Sequence, residues 1–224
     1  MEPQVVFSDK DLIAAVKPAG MPSQPDPSGA LSLLEWLQAR FGSVFVLNRL
    51  DRPVGGLLIF AGNSEAAARL NRLISERNFR KYYLALLERP EKLASGSEKL
   101  ENYLLKDGRS NLSRIVGADT EGAKRAELEY RILKTGRTRA LAAISLLTGR
   151  HHQIRAQFAH LGCPVAGDVK YGASGRLRGR GIALWSWRLG FVWKGRSVNF
   201  VSLPSGKTWE PFLEAAPGDG WNGI

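Results

Sequence analysis

The stretch Asn48-Arg49-Leu50-Asp51-Arg52-Pro53-Val54-Gly55-Gly56, followed by the apolar run Leu57-Leu58-Ile59-Phe60, places one carboxylate between two arginines. The proline and the paired glycines are typical of a turn, and the apolar run after them predicts a buried strand. Because neighbouring cations favour the ionised form of a carboxylate, Asp51 is expected to stay charged. An ionised carboxylate on a rigid turn can act as a nucleophile, or it can simply hydrogen-bond its own turn.

The composition is that of a globular protein with a large excess of positive charge. The chain has 224 residues, with 32 Lys and Arg against 21 Asp and Glu, a net charge of +11. Such an excess favours a polyanionic partner, above all nucleic acid, through neutralisation of phosphates. An anionic membrane surface is the alternative, but the sequence shows no basic amphipathic helix and no apolar run of the length that spans a bilayer. A single cysteine, Cys163, excludes an internal disulfide and favours a reducing compartment, so we expect the cytoplasm.

Hydrophobic periodicity predicts one α+β domain over residues 1–224. Ser32 and Glu35 form a capping box that predicts a first helix ending at Gly42, and Asn63-Ser64 predicts the start of a second. The turn pairs Asp107-Gly108 and Thr135-Gly136 predict hairpins within a region of strands. The remaining predicted elements are a hairpin of residues 4–7 and 12–16, a strand at 79–87, a third helix at 150–161, and strands at 182–188 and 197–203.

Three segments carry more polar chemistry than a protein core requires: residues 49–52, residues 80–83 and residues 148–155. The third lies at a predicted helix N-terminus, where free backbone N–H groups and the helix dipole favour an anion. Its arginines, Arg150 and Arg155, add permanent positive charge. These features predict contacts with the phosphates of a nucleic acid.

All three histidines and Cys163 lie close together in the sequence, so a zinc site has to be considered. His151 and His152 are separated from His160 by about 12 Å along a helix, which is too far for ligands to share one ion at ~2 Å. His160 and Cys163 alone do not make a site. The histidines are therefore predicted to pack, to contact phosphate or to act in proton transfer, and no metal is predicted.

Residues 49–58, the Lys81-x-Tyr83-x-Ala85 segment and residues 148–155 resemble, in order and spacing, the three motifs of RNA pseudouridine synthases of the RluA type. The segment from Ala159 to Gly172, with its Gly167-Asp168-x-x-Tyr171 pattern, is also similar to that family, and so is the opening hairpin. The resemblance covers residues 4–203. It implies an α+β fold with a mixed, mostly antiparallel central sheet, flanking helices and a central catalytic cleft.

The resemblance also implies roles for individual residues. Asp51 would be the nucleophile, Tyr83 the tyrosine that stacks on the target uracil and acts as a base, and Arg155 the arginine that pairs with Asp51. Arg52 matches the arginine that fills the space left by the flipped nucleotide. Further phosphate contacts are expected from Arg49, Arg150 and His152. The chain departs from the family's usual residues at Asn48, Val54-Gly55, His151 and Gln157, which bears on substrate contacts.

The implied reaction isomerises uridine in ribosomal or transfer RNA and needs no redox cofactor, nucleotide or metal. A carboxylate can act on an electron-poor sugar as in retaining glycosidases, and the nucleotide must leave its helix to reach it. Asp51 could attack the sugar, attack the ring or remove a sugar proton. Two other functions remain open: a non-catalytic RNA-binding protein with this fold, and a carboxylate hydrolase, which would need a second carboxylate.

The chain starts at the hairpin of the catalytic domain, so we expect it to lack an RNA-binding domain of the S4 type. RNA binding is then expected to depend on basic residues of the catalytic domain itself, and a monomer without an obligatory protein partner is expected. The residues expected to contribute to RNA binding, rather than to form only a solvated charged rim, are Lys170, Arg176, Arg178, Arg180, Arg188, Lys194 and Arg196.

Overall fold

The computed structural model of the protein describes residues 2–76, 78–93, 96–179 and 181–218, and the chain divides into two compact units. Unit 1 comprises Met1–Lys81 and Trp185–Pro204, and unit 2 comprises Tyr82–Leu184 and Ser205–Ile224. The α-helices are α1 (Leu33–Phe41), α2 (Ser64–Ser75), α3 (Gln153–His160) and α4 (Glu210–Leu213). The strands are β1 (Gln4–Ser8), β2 (Leu12–Lys17), β3 (Phe45–Val46), β4 (Gly55–Ala61), β5 (Phe79–Glu88), β6 (Ser97–Asp107), β7 (Leu112–Val116), β8 (Lys124–Thr135), β9 (Arg139–Leu146), β10 (Leu184–Trp193) and β11 (Arg196–Val201).

The strands of unit 1 follow the order β1-β2-β4-β10, with β3 paired to β4 and β11 paired to β10. The predicted opening hairpin is confirmed as the antiparallel pair β1–β2. Every residue of β2 and β4 is buried, which agrees with the continuous apolar runs in their sequences. β4 is antiparallel to β2 and parallel to β10. The turn that carries Asp51 leads directly into this buried strand.

Both predicted helix starts in unit 1 are confirmed by their caps. The Ser32 hydroxyl accepts a hydrogen bond from the backbone N–H of Glu35, whose carboxylate accepts one from the backbone N–H of Ser32 at 2.9 Å. α1 ends at Gly42, which has a φ of 72°. The Asn63 side chain caps α2 by accepting from the N–H of Ala66 at 2.9 Å. α2 packs its buried side on β4.

The glycines that follow Asp51 allow β4 to approach β10 closely. In the parallel register Trp185 lies opposite Gly55, and Ser186 lies opposite Gly56. A Cβ atom at Gly56 would overlap the backbone of Ser186, and the φ of Gly56 is +117°, a conformation that L side chains rarely adopt. A Cβ atom at Gly55 would overlap the ring of Trp185. The turn with Asp51 is therefore attached to a strand pair whose close approach requires glycine at position 56.

We expect Gly56→Ala to lower the free energy of unfolding by about 3 kcal/mol, because a methyl group adds both backbone strain and overlap with a neighbouring strand. Denaturant unfolding of the purified protein measures the change. Gly108→Ala is the control, since no atom lies within 4 Å of a Cβ placed there, and it should change stability by less than about 1 kcal/mol. Equal losses in the two variants would contradict the close approach of β4 and β10.

The strands of unit 2 follow the order β5-β9-β8-β6-β7 and pair antiparallel. The two predicted hairpins are confirmed, because Asp107 pairs with Leu112 across one turn and Thr135 pairs with Ala140 across the other. Seven of the ten β5 residues, from Tyr82 to Glu88, belong to this unit and are buried. α3 packs against β6 and β7.

The predicted third helix, residues 150–161, is too long at its N-terminus. α3 begins at Gln153, because His152 has a φ of 53° and cannot continue a right-handed helix backwards. The predicted strands 182–188 and 197–203 also have wrong bounds. β10 extends to Trp193, because Lys194 and Gly195 both have positive φ angles and form a tight turn into β11.

The predicted fold class is confirmed: the protein is α+β, with mixed but mostly antiparallel strand pairing and flanking helices. The single catalytic domain over residues 1–224 and the central cleft stay predictions. Within the described residues, no helix is both long enough and apolar enough to span a membrane.

Candidate active site

The Asp51 turn is held by the hydroxyl of a serine from a preceding loop. Leu50, next to Asp51, is buried, and its backbone N–H donates to the Ser23 hydroxyl at 3.1 Å. The same hydroxyl donates to the Leu50 carbonyl at 2.8 Å. The N–H of Val54 donates to the Asp51 carbonyl at 3.0 Å and closes the turn. Asp51 itself is half-buried, so the turn presents its carboxylate from a fixed backbone.

A fully buried lysine ammonium supports the other side of this turn. Lys17, the last residue of β2, is 0% exposed, and its Nζ donates to the carbonyl oxygens of Pro18, Met21 and Arg52 at 3.1, 2.7 and 3.2 Å. Burial lowers the pKa of Lys17 to about 7, while the negative charge of Asp51 acts in the opposite direction. The ammonium therefore joins the loop after β2 to the residue that follows Asp51.

The two arginines that flank Asp51 are exposed. Arg52 donates from Nε to the Gly20 carbonyl at 3.0 Å, and one of its terminal nitrogens lies 3.6 Å from the Asp26 carboxylate. The N–H of Gly20 donates back to the Arg52 carbonyl at 2.7 Å. Arg52 is thus oriented by the loop after β2, and its side chain is 41% exposed. Its charge remains accessible to a ligand.

The lowered pKa of Lys17 predicts a pH dependence of stability. Between about pH 7 and the ordinary value of 10.5, the unfolded chain binds a proton that the folded chain lacks at Lys17. The stability that the folded state gains when Lys17 is neutral is therefore complete above pH 10.5, and it is lost as the pH falls through 7. We expect the free energy of unfolding of the wild type, relative to Lys17→Met, to rise across this window.

Denaturant unfolding of both proteins at several pH values measures this difference. Lys17→Met is the reference for the wild type, because methionine has a similar length and no ionisable group. Parallel stability curves for the two proteins from pH 7 to pH 10 would contradict the lowered pKa.

In unit 2, β5 presents a pair of tyrosines. Tyr82 and Tyr83 are each 7% exposed, and Tyr83 pairs with Ile144 of β9. Because successive side chains of a strand point to opposite faces, these two rings lie on opposite faces of the sheet. Burial lowers the pKa of the neighbouring Lys81.

The segment between β9 and α3 is held by the backbone of Glu127 in β8. The backbone N–H groups of Leu147 and Thr148 both donate to the Glu127 carbonyl at 3.1 Å. The Thr148 hydroxyl accepts from the N–H of Glu127 and donates to the Gln153 side chain, each at 2.8 Å. The Gln153 amide donates in turn to the Glu127 carbonyl at 3.0 Å. The start of α3 is therefore rigidly attached to the sheet.

The guanidinium of Arg155 is buried and paired. Arg155 donates from Nε and Nη2 to the two carboxylate oxygens of Asp168 at 2.6 and 2.8 Å, and both side chains are less than 5% exposed. The guanidinium carbon also lies 4.9 Å from the centroid of the Tyr171 ring. Within unit 2, Asp168 is thus a counter-ion of Arg155. The predicted pairing of Arg155 with Asp51, which belongs to unit 1, stays a prediction.

The two histidines before α3 form a network with Tyr171. The rings of His151 and His152 stack with centroids 3.8 Å apart. His152 is buried, and its Nδ1 lies 2.9 Å from the Tyr171 hydroxyl, which accepts from the N–H of Ser113 at 2.8 Å. The Nδ1 of His151 lies 2.9 Å from the Ser113 hydroxyl. The histidines therefore pack and hydrogen-bond within unit 2, and phosphate contact by His152 stays a prediction.

The predicted RNA-binding arginines lie in different places. Arg150 is exposed and donates from Nε to the Arg125 carbonyl at 2.9 Å. Arg176 and Arg178 are exposed on the loop before β10, and Arg180 lies outside the described residues. Of the other basic candidates, Lys194 pairs with Asp11 and Arg188 donates to Asn199.

Four residues that hold this machinery were not predicted: Lys17, Ser23, Asp168 and Tyr171. Their contacts are with residues distant in the sequence, so their roles could not be assigned locally, although Asp168 and Tyr171 belong to the Gly167-Asp168-x-x-Tyr171 pattern. One sequence signal was available for Lys17, since a charged residue directly after an apolar strand and before a proline is unusual for a buried position. Among the described residues, no three His, Cys, Asp or Glu side chains are grouped so that they could hold a metal ion.

The sequence of the chain is similar to those of known RNA-modifying enzymes. Residues 11–160 match the model of a family described as RNA pseudouridylate synthase. The chain is 33% identical over 182 residues to the tRNA pseudouridine synthase C of Haemophilus ducreyi, an alignment that covers 77% of this chain and 75% of that protein. It is 30% identical over 172 residues to the ribosomal large subunit pseudouridine synthase C of Rickettsia conorii, covering 75% of this chain and 56% of that longer protein.

The fold is similar to that of a solved human structure, RNA Pseudouridylate Synthase Domain Containing 1. The superposition has a TM-score of 0.78 and 26% sequence identity, and it covers 91% of this chain and 84% of the human chain.

Proposed function

The chain belongs to the RNA pseudouridylate synthase family, and on this basis we propose that it isomerises a specific uridine of ribosomal or transfer RNA to pseudouridine. The family predicted from the motifs is confirmed by this match. The observation that carries the proposal is that the matched region, residues 11–160, contains all three polar segments predicted to carry the chemistry. The names of the Haemophilus and Rickettsia relatives support transfer RNA and ribosomal RNA respectively as the substrate class.

The proposed reaction exchanges one bond of the nucleoside for another. The bond between N1 of uracil and C1′ of the ribose breaks, the uracil rotates, and a bond forms between C5 and C1′. The hydrogen on C5 leaves to solvent, and N1 gains a proton, so the product is an isomer of the substrate. The exchange needs a group that acts on an electron-poor centre and a group that moves the C5 proton.

We propose Asp51 as the nucleophilic group. The Ser23 hydroxyl and the Lys17 ammonium fix the backbone on either side of Asp51, and a fixed carboxylate reacts more readily than a mobile one because its orientation is already set. Attack on the sugar, attack on the ring and removal of a sugar proton all use the same carboxylate, and each requires that it be ionised.

Tyr83 and Arg155 are proposed to act with Asp51. Tyr83 is the proposed stacking partner of the uracil and the base that removes the C5 proton. Arg155 is the proposed partner that keeps Asp51 ionised and oriented. Support for these roles comes from the motif positions and from the buried, rigid setting of both side chains in unit 2.

A uridine within an RNA helix must flip out before Asp51 can reach it. We propose that Arg52 occupies the space left by the flipped nucleotide. The exposed guanidinium of Arg52, oriented through the Gly20 carbonyl, supports this role. Arg49, Arg150, Arg176 and Arg178 are proposed to contact phosphates, since all four are exposed.

The enzyme is proposed to work as a monomer in the cytoplasm, without an obligatory protein partner. A chain with a single, buried cysteine, Cys163, is compatible with that compartment.

Replacing the Asp51 carboxylate with an amide tests the proposed reaction. We expect wild-type protein to release tritium from RNA labelled at uracil C5, and Asp51→Asn to reduce the rate by at least about 10⁴-fold, because an amide is not a nucleophile. Total cellular RNA provides the substrate, and tritium in the solvent is the measurement.

Asp119→Asn is the matched control, because Asp119 is exposed and lies in a turn of unit 2, and it should keep wild-type activity. Thermal unfolding of each variant shows whether the fold is retained. RNA binding without tritium release from the wild type would contradict the proposal and favour a non-catalytic RNA-binding protein.

The proposed phosphate contacts predict how RNA binding responds to salt. The double variant Arg176→Ala/Arg178→Ala should bind RNA more weakly, and the slope of log affinity against log salt should fall by about 1.4, the value for two phosphate contacts on single-stranded nucleic acid. Filter binding between 50 and 300 mM salt measures the slope.

The control for this measurement is Arg69→Ala, because Arg69 on α2 already lies 3.8 Å from the Glu65 carboxylate. Its slope should equal that of the wild type. A double variant with an unchanged slope would remove Arg176 and Arg178 from the proposed RNA-binding surface.

A further inference from the structure

The buried charge of Arg155 depends on a segment that the three motifs do not include. The two nitrogen–oxygen contacts to Asp168, at 2.6 and 2.8 Å, are parallel and engage one edge of the guanidinium. This bidentate arrangement fixes the plane of the guanidinium as well as its position. Both partners are almost completely buried, so water cannot replace either of them.

Tyr171 restricts the same guanidinium from a second direction. Its ring centroid lies 4.9 Å from the guanidinium carbon, within the range of a cation–π contact. The ring cannot turn freely, because its hydroxyl accepts from the N–H of Ser113 at 2.8 Å and lies 2.9 Å from Nδ1 of His152. A planar carboxylate and an aromatic face therefore define one orientation of Arg155.

Asp168 and Tyr171 lie on one short turn that is joined to β5. The backbone N–H of Tyr171 donates to the Asp168 carbonyl at 2.9 Å, which keeps the two side chains in fixed relation. Just before this turn, the N–H of Ala166 donates to the Leu86 carbonyl at 2.8 Å. The turn is thus anchored to the strand that also carries Tyr83, within the same unit.

We propose that Asp168 and Tyr171 are positioning residues for the reaction, acting through Arg155. They hold its guanidinium in a single orientation through a bidentate ion pair and an aromatic contact. The inference rests on the proposed function, because it concerns how the arginine of that site is held. Neither residue has to touch the RNA for this role.

A buried guanidinium needs a counter-ion, so loss of Asp168 has two effects that must be separated. One is lower stability, because a buried charge loses its partner. The other is a wider range of Arg155 orientations, which slows the chemical step without weakening RNA binding, since a displacement of about 1 Å in a reacting group can cost 10²-fold in rate. A slower chemical step with unchanged RNA binding therefore distinguishes a positioning residue from one that only stabilises the fold.

The test compares the full-length wild type with Asp168→Asn, Asp168→Glu and Tyr171→Leu. We expect Asp168→Asn and Tyr171→Leu to lower kcat for tritium release by about 10- to 100-fold, with KM for RNA within about threefold of the wild type. Asp168→Glu keeps the carboxylate and should recover part of the lost kcat.

Glu88→Gln is the matched control. Glu88 is another buried carboxylate of unit 2, 6% exposed, and it accepts from the backbone N–H and the hydroxyl of Ser174 at 2.8 and 3.1 Å. Its replacement likewise removes the charge of a buried, hydrogen-bonded carboxylate, but the carboxylate that pairs with Arg155 is that of Asp168. A kcat for Asp168→Asn no lower than that of Glu88→Gln would overturn the proposal.

A second measurement does not depend on activity. The Nε–H resonance of Arg155, assigned by its absence in Arg155→Lys, should exchange slowly with solvent in the wild type and in Glu88→Gln. It should be lost or broadened in Asp168→Asn. A wild type that releases no tritium would refute the proposed function, whereas a slowly exchanging Arg155 resonance in Asp168→Asn would refute the positioning role itself.

Discussion

The Asp51 turn depends on a lysine ammonium that has no access to water. Three backbone carbonyls meet at Nζ of Lys17, and one of them belongs to the residue directly after Asp51. Buried carbonyl groups need donors, and an ammonium supplies three from a single atom. The cost of burying that charge is visible in its lowered pKa, which the charge of Asp51 partly offsets. The negative charge of Asp51 therefore helps to stabilise the buried ammonium that holds the turn.

Unit 2 stabilises its buried cation by different chemistry. Lys17 is surrounded by neutral carbonyl dipoles, whereas Arg155 has a full counter-charge in Asp168 and an aromatic face in Tyr171. The difference suits the two side chains, because an ammonium can direct its donors to three separate acceptors and a guanidinium presents a planar edge that matches a carboxylate. In each unit the long side chain comes from a regular element, and the groups that hold it come from loops or turns.

Much of this arrangement could be predicted from local sequence. The capping box at Ser32, the Asn63 cap and the two hairpins of unit 2 depend on neighbouring residues, and all of them were predicted correctly. The family follows from the order of three polar segments. The start of α3 was wrong by three residues, because His152 has a left-handed backbone conformation, and its ring contacts Tyr171, a residue distant in the sequence.

The groups that hold the candidate site could not be predicted in the same way. The sequence gives neither Asp168 nor Ser23 a partner, and only the folded chain shows that Asp168 pairs with Arg155 and that Ser23 binds the backbone of Leu50. Such contacts join segments that no periodic pattern or turn motif connects. Sequence patterns therefore indicate candidate side chains for the chemistry, but they do not indicate the residues that hold those side chains in place.

The contact between Gly55 and Trp185 has a consequence for how the protein can change. A side chain at position 55 and an indole at position 185 cannot occupy the same space, and the Trp185 ring is further held by its Nε1 donating to the Ser202 carbonyl at 2.8 Å. Residue identity at these two positions is therefore coupled, although they lie far apart in the chain. A homologue with a larger residue at position 55 must carry a smaller one at 185, and the two sites should vary together across the family.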